Sequence, residues 1–216
     1  MLRAKYLAAG LAAFAALAAL PAQAAVNLIQ DGSFNDPLVG GGYTTVNAGN
    51  FFGTGNVWQV TSGSVDVIGN YWVPPTAGGG SVDLDGNAPG GISQSFSAPA
   101  GSYNLYFYLS GNPDGSPSTK SVDLSVGNIS NQLFTYTVTG DKSNMNYVLE
   151  HVVFTSAGGT NTLSFLSQDT NSPYGAVVGG ISISAVPEPA SWMMLILGFG
   201  GIGMMLRSRR RSLLAA

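Results

Sequence analysis

Between residues 25 and 185 the chain alternates apolar and polar side chains in short segments with a period of two. Such alternation is typical of β-strands that bury one face, and no amphipathic helix is evident in this range. Turn-forming clusters of Gly, Asn, Pro and Asp separate the segments. The segments are 64–68, 81–85, 101–109, 121–126, 133–138, 147–154, 162–166 and 181–184. We therefore predict an all-β fold, a two-sheet jelly-roll sandwich of about eight to ten strands.

The composition of residues 25–185 limits the partners of this predicted domain. The range is long enough for one domain with one core, and the chain has no cysteine, so packing alone must stabilise it. It contains no arginine and two lysines against nine aspartates and one glutamate, a net charge of −8. Such a surface repels phosphate backbones, so we expect no nucleic-acid partner. An acidic, Asn/Gly/Ser/Thr-rich exterior suits sugars, divalent cations or simple solubility.

The N-terminus has the layout of a secretory signal peptide, which we assign to residues 1–24. Arg3 and Lys5 precede an uninterrupted apolar run over residues 7–20. A small-x-small pattern then predicts cleavage by signal peptidase. The residues of this predicted cleavage site are Ala22, Ala24 and Ala25.

The C-terminal segment, residues 186–216, has the layout of a membrane signal. Residues 192–206 carry no charge and predict a single transmembrane helix, which would rise about 22 Å. The hydrocarbon core of a bilayer is about 30 Å thick, so flanking residues must complete the span. Four arginines follow directly, which places this tip in the cytoplasm and the body outside. The alternative is a buried helix of a soluble domain, which would not need an arginine cluster.

A proline-glutamate-proline motif, a tryptophan, the apolar segment and a basic end occur here in fixed order. The residues are Pro187, Glu188, Pro189, Trp192, Arg207, Arg209, Arg210 and Arg211. This order resembles the PEP-CTERM sorting signal, in the variant written PEPxxWA of Gram-negative bacteria that make exopolysaccharide, although Met193 stands where alanine is usual. The resemblance implies an exosortase partner, which would cut near Pro187–Pro189 and release or transfer the body. A permanently anchored protein is the alternative.

A second resemblance covers most of residues 27–183. The segments 27–34, 63–68, 81–86 and 109–114 look like the bacterial choice-of-anchor C domains, which are similar to a plant cell-wall family with galactose-binding-like jelly-roll folds. In related carbohydrate-binding jelly rolls a glutamate near the N-terminus and an aspartate in the final strand lie near a structural calcium. This chain has Asn35 and the segment 178–181 at the matching positions, which departs from that pattern.

Asp83 and Asp85 are the best pair of carboxylates in the sequence. At positions i and i+2 of a strand they share one face, while Val82 and Leu84 face the core. With Asn87 they resemble the first ligands of a calcium loop, but Ala88 and Gln94 replace its glycine and its glutamate. Three interpretations remain open, namely a solvated face, a calcium site and a catalytic pair.

Sugar-binding sites combine a flat aromatic ring with a few polar groups. The candidates for such a site are Trp58, Asp66, Asn70, Tyr71 and Trp72. The alternative is that both tryptophans belong to the core of the sandwich.

The sequence offers little for catalysis. His151 is the only histidine, it lies in a strand pattern, and no Gly-x-Ser-x-Gly motif surrounds a serine.

Taken together, these patterns predict a non-catalytic exported protein. We expect it to be anchored briefly in the inner membrane and then delivered to the cell surface or extracellular matrix, where it binds exopolysaccharide. A purely structural matrix component is the alternative, and a glycan hydrolase is a more distant one.

Overall fold

The computed structural model describes residues 26–35, 42–186, 198–200 and 202. The predicted signal peptide, residues 187–197 and the arginine tip lie outside these ranges. In the described part, residues 198–200 and 202 of the predicted membrane segment are helical, and no helix is long and apolar enough to cross a membrane. The strands are β1 (Tyr43–Asn47), β2 (Phe51–Phe52), β3 (Trp58–Ser62), β4 (Ser64–Ile68), β5 (Ser81–Asp83), β6 (Gly91–Gly111), β7 (Thr119–Val126), β8 (Ile129–Thr137), β9 (Val148–Ser167) and β10 (Ala176–Ala185).

Two long antiparallel strands, β6 and β9, connect the two halves of the fold. They pair from Gly91 opposite Leu166 to Leu109 opposite Val148, with one interruption at Pro99. The prediction of separate strands over 147–154 and 162–166 is wrong. The chain stays paired with β6 through Gly158 and Gly159, because glycine tolerates the positive φ of this bend.

Each half of the long pair belongs to a different sheet. The first half of β6 and the second half of β9 lie in sheet I with β2, β3, β7 and β8. The second half of β6 and the first half of β9 lie in sheet II with β10, β5, β4 and β1. The predicted all-β fold is therefore confirmed.

The core lies between the two sheets. Phe107 of sheet II contacts Phe165 and Phe134 of sheet I, with ring centroids 5.1 and 5.3 Å apart. Side chains alternate between buried and more exposed along both halves of β6, as strands of a sandwich require. Burial of this apolar surface is the main contribution to the stability of the chain.

A second, smaller apolar cluster covers part of the outer face of sheet II. It contains Ile68, Trp72, Met145 and Val177, with Tyr71 and Tyr147 packed against it. Val177 belongs to this cluster, whereas its neighbours Ala176 and Val178 belong to the main core, as expected for opposite faces of one strand. The loops that contain Trp72 and Met145 therefore lie against the sheet.

Candidate functional site

A cleft of about 480 Å³ lies between two loops on the outer face of sheet II. One loop joins β4 to β5 (residues 69–80), and the other joins β8 to β9 (residues 138–147). The lining residues are Gly69, Asn70, Tyr71, Trp72, Val73, Pro74, Gly78, Gly79, Lys142 and Ser143.

Trp72 anchors the first loop and fixes the floor of the cleft. It is 4% exposed, and its indole N–H donates to the Ser81 hydroxyl over 2.9 Å. The Val73 N–H donates to the Lys142 carbonyl over 3.0 Å and joins the two loops. Because these groups are paired, both loops hold a defined position without a ligand.

A tight turn presents Lys142 at the rim of the cleft. The Asp141 carboxylate accepts hydrogen bonds from the Ser143 hydroxyl (2.6 Å), the Ser143 N–H (2.7 Å) and the Asn144 N–H (3.0 Å). The Ser143 hydroxyl and these two N–H groups lower the pKa of Asp141. Asp141 is thus held as the anion that this turn requires.

Tyr71, Lys142 and Asp114 form a polar triad at the cleft. The Lys142 ammonium lies 2.7 Å from the Tyr71 hydroxyl, 2.9 Å from Asp114 Oδ2 and 4.0 Å from the centre of the Tyr71 ring. The Tyr71 hydroxyl donates to Asp114 Oδ2 over 2.8 Å. The hydrogen bond with Tyr71 and the Asp114 carboxylate raise the pKa of Lys142, so the ammonium stays charged. A flat ring is thereby placed beside one cation and one anion.

A buried relay of hydrogen bonds positions Asp114. Its N–H donates to Asn112 Oδ1 over 2.9 Å, and Asn112 Nδ2 donates to Asp83 Oδ2 over 2.7 Å. The other oxygen, Asp83 Oδ1, accepts the N–H groups of Asp85 and Gly175, each over 3.0 Å. Asp83 therefore supports the cleft from below and does not face solvent.

Burial raises the pKa of Asp83 well above its usual range, against the lowering effect of these three hydrogen bonds. The pKa of Asp85 is raised to about 6, because burial and the nearby Asp169 raise it more than Ser167 and Lys120 lower it. Both carboxylate oxygens of Asp85 are buried, and the nearby Ser167 side chain and Gly90 N–H offset only part of the cost of this burial. At neutral pH, ionisation of these buried carboxyl groups therefore lowers the free energy of unfolding.

Lys120 is fully buried beside these carboxylates and connects the loop that contains Gly115 to the loop that contains Tyr174. Its ammonium donates to the carbonyl of Gly115 over 3.0 Å and to the carbonyl of Tyr174. Burial lowers the pKa of Lys120, and the three neighbouring aspartates Asp169, Asp83 and Asp85 counteract this effect. The loop that carries Asp114 is thus fixed at Gly115 as well as at Asn112.

The cleft brings together three of the five residues predicted to bind sugar, namely Asn70, Tyr71 and Trp72. Of these three residues, Tyr71 has the partly exposed ring, since Trp72 is buried. Trp58 is 0% exposed in the main core, where its indole donates to the Asp31 carbonyl, so the interpretation of Trp58 as a sugar platform is corrected. Asp66 lies outside the cleft lining and accepts a 2.5 Å hydrogen bond from the Thr45 hydroxyl.

The proposed calcium ligands Asp83, Asp85 and Asn87 are not brought together as a loop. Asp83 and Asp85 are fully buried instead of solvated, since loops cover the outer face of β5. Asn87 is exposed, and its N–H donates to the Ser64 hydroxyl. Within the ranges that the structure describes, no group of three or more Asp, Glu, His or Cys side chains is arranged to hold a metal. The expectation from the sequence is that the body needs no cofactor, with calcium as the open alternative, and both stay untested.

Sequence reasoning missed Asp114 and Lys142 as members of the site. Asp114 lies in the segment 112–115, whose composition indicates only a turn. Lys142 is one of two lysines in residues 25–185, and this rarity in an acidic domain was the available signal. Neither residue is close in sequence to Tyr71, which lies 43 positions from Asp114 and 71 from Lys142.

Comparison with known families identifies the C-terminal segment. Residues 185–211 match the PEP-CTERM protein-sorting motif. The resemblance predicted from Pro187, Glu188, Pro189 and Trp192 is therefore confirmed. A motif of this kind implies sorting to a location outside the cytoplasm by way of a membrane-anchored stage.

Among curated proteins, a match exists to halomucin of Haloquadratum walsbyi, 43% identical over 91 residues. It covers 39% of this chain, and the chain spans 1% of the length of that protein.

Similar solved structures include two family 35 carbohydrate-binding modules. The module from Clostridium thermocellum is 16% identical with a TM-score of 0.45, and the module from Paenibacillus barcinonensis is 21% identical with a TM-score of 0.42. Each match covers 66% of this chain and 99% of the module. An exo-β-1,3-galactanase from Phanerochaete chrysosporium is 18% identical with a TM-score of 0.41, over 66% of this chain and 29% of the enzyme. Overlap at this level carries no conclusion about ligands, so the chemistry of the cleft depends on its own residues.

Proposed function

We propose that the body of this chain is a non-catalytic module that binds exopolysaccharide through the Tyr71 cleft, outside the cytoplasm. The PEP-CTERM motif delivers the body as a substrate of an exosortase-type enzyme. In this proposal residues 1–24 are removed during export, and the enzyme cuts near Pro187–Pro189.

The observation that supports sugar binding is the geometry of the polar triad. The Tyr71 ring offers an apolar surface to one face of a pyranose, while the Lys142 ammonium donates to sugar hydroxyls and the Asp114 carboxylate accepts from them. The cleft volume of about 480 Å³ suits a small number of sugar units. Because the triad is already hydrogen-bonded, little ordering of side chains accompanies binding.

The same geometry favours binding over hydrolysis. Glycosidases use two carboxyl groups on opposite sides of the scissile bond. Asp114 contributes one carboxylate, and its Oδ2 atom already accepts hydrogen bonds from Tyr71 and Lys142. Asp83 and Asp85, which the sequence offered as a catalytic pair, are buried and inaccessible to a polysaccharide.

Binding of the exported chain to purified exopolysaccharide tests this function. Tyr71→Ala is expected to weaken binding by at least about tenfold, since it removes the ring and one partner of Lys142. Phe51→Ala is the matched control, because Phe51 is an exposed aromatic residue of β2 in sheet I. Equal affinity of wild type and Tyr71→Ala would refute the cleft as the binding site. Absence of binding by the wild type would favour a structural matrix component, and release of reducing sugar would favour a hydrolase.

Processing is tested separately by mass spectrometry of the mature chain. We expect an N-terminus at Ala25 and a C-terminus near Pro187–Pro189. A mature protein that retains Arg207–Arg211 would contradict removal of the sorting signal.

A further inference from the structure

The first half of β9 forms an open edge of sheet II. On one side, residues 148–157 pair with β6. On the other side, no strand of the described ranges pairs with them, since β7 meets β9 only at residues 164–167. An edge of this kind leaves backbone N–H and C=O groups available to another strand.

Two hydrogen bonds between Thr155 and Asn128 show which backbone groups of β9 point to the open side. The Thr155 N–H donates to Asn128 Oδ1 over 2.7 Å, and the Thr155 carbonyl accepts from the Asn128 N–H over 3.2 Å. In an antiparallel pair every second residue directs both backbone groups to the same side. Leu149, His151 and Val153 therefore present their N–H and C=O groups at the open edge.

The side chains along this edge are apolar at both ends. Leu149 is 51% exposed and Val153 is 54% exposed, with His151 between them on the same face. The segment 148–155 contains no lysine or proline, which commonly protect an edge strand, and its one charged side chain is Glu150.

We propose that a second copy of this chain pairs with the edge, in antiparallel orientation and with a two-fold axis at His151. In this register Leu149 lies opposite Val153 of the second copy, and His151 lies opposite His151. The three outward residues then form hydrogen-bonded pairs, and sheet II continues from one copy into the other. The edge selects its own copy because the open segment and its exposed apolar residues are both symmetric about His151.

The absence of cysteine from the chain allows a direct test. In the proposed register the two Cα atoms of residue 151 lie about 5.5 Å apart, which a disulfide can bridge. Full-length His151→Cys, expressed in a host that contains the exosortase-type enzyme, is expected to form a covalent dimer on mild oxidation. Ser97→Cys is the control, because Ser97 is exposed on the first half of β6, away from this edge. Equal cross-linking of the two variants would overturn the proposal.

A charge exchange tests the register itself. Val153→Lys places a charge opposite Leu149 and is expected to weaken the dimer by at least about tenfold. Adding Leu149→Glu to Val153→Lys is expected to restore it, because the carboxylate introduced at position 149 then faces the ammonium introduced at position 153 of the other copy. Within one strand these positions are about 13 Å apart, so the rescue cannot arise inside one chain. Sedimentation of the detergent-solubilised chains gives the mass. A monomeric wild type, or a double variant as weak as the single one, would refute the pairing.

Discussion

Asp85 provides a quantitative test of the electrostatics beneath the cleft. Its carboxyl group is fully buried, and burial raises its pKa from 3.8 to about 6 despite the opposing effects of Ser167, Lys120 and the Gly90 N–H. The folded chain therefore binds this proton more tightly than the unfolded chain. The stability that Asp85 contributes is fully present below the unfolded pKa and is lost as the pH rises to about 6.

The magnitude follows from the size of this shift. At about 1.4 kcal/mol for each pKa unit, and with the unfolded carboxyl already partly ionised at pH 4, the free energy of unfolding should fall by about 2.4 kcal/mol between pH 4 and pH 7 on account of Asp85. Asp85→Asn keeps the shape of the side chain but does not ionise, so it lacks this contribution. The wild type should thus lose about 2.4 kcal/mol relative to Asp85→Asn as the pH rises through this range.

Urea unfolding of both proteins at several pH values measures this difference. Comparison with the variant removes the contributions of other titrating groups that the two proteins share. Asp141→Asn is a control of opposite sign, since hydrogen bonds lower the pKa of Asp141 and the wild type should gain relative to that variant with rising pH. A constant difference between wild type and Asp85→Asn would refute the assigned burial of an ionising carboxyl group.

Three further predictions concern the cleft and its support. Asn112→Ala breaks the relay between Asp83 and Asp114, so exopolysaccharide affinity measured by calorimetry should fall about tenfold, whereas Asn87→Ala should leave it unchanged. Lys142→Met should weaken the same binding and remove part of its salt dependence, and an unchanged salt profile would contradict a role for the ammonium. Gly175→Ala should lower the free energy of unfolding by about 1–3 kcal/mol. The reason is that its Cβ would lie 2.5 Å from Asp85 Cγ, and an unchanged melting temperature would argue against this close packing.

The sequence alone determined the strand-rich body and the sorting motif. The alternation of apolar and polar residues with a period of two indicates which side chains of a strand face the core. This pattern can be recognised from neighbouring residues alone. The motif at residues 185–211 is likewise a local pattern. The long pair formed by β6 and β9 was not predicted, because the consecutive residues Gly158 and Gly159, judged from the sequence alone, indicate a turn. Pairing with β6 on one side keeps the strand continuous through them.

What covers each face of the sheets depends on the packing of the whole domain. Alternation correctly placed Asp83 opposite the core, but loops from distant parts of the chain bury it there. For the same reason the adjacent residues Tyr71 and Trp72 have different roles, the first at the cleft and the second beneath it. The triad of Tyr71, Asp114 and Lys142 joins three loops that are far apart in sequence, and such contacts depend on the packing of the whole domain.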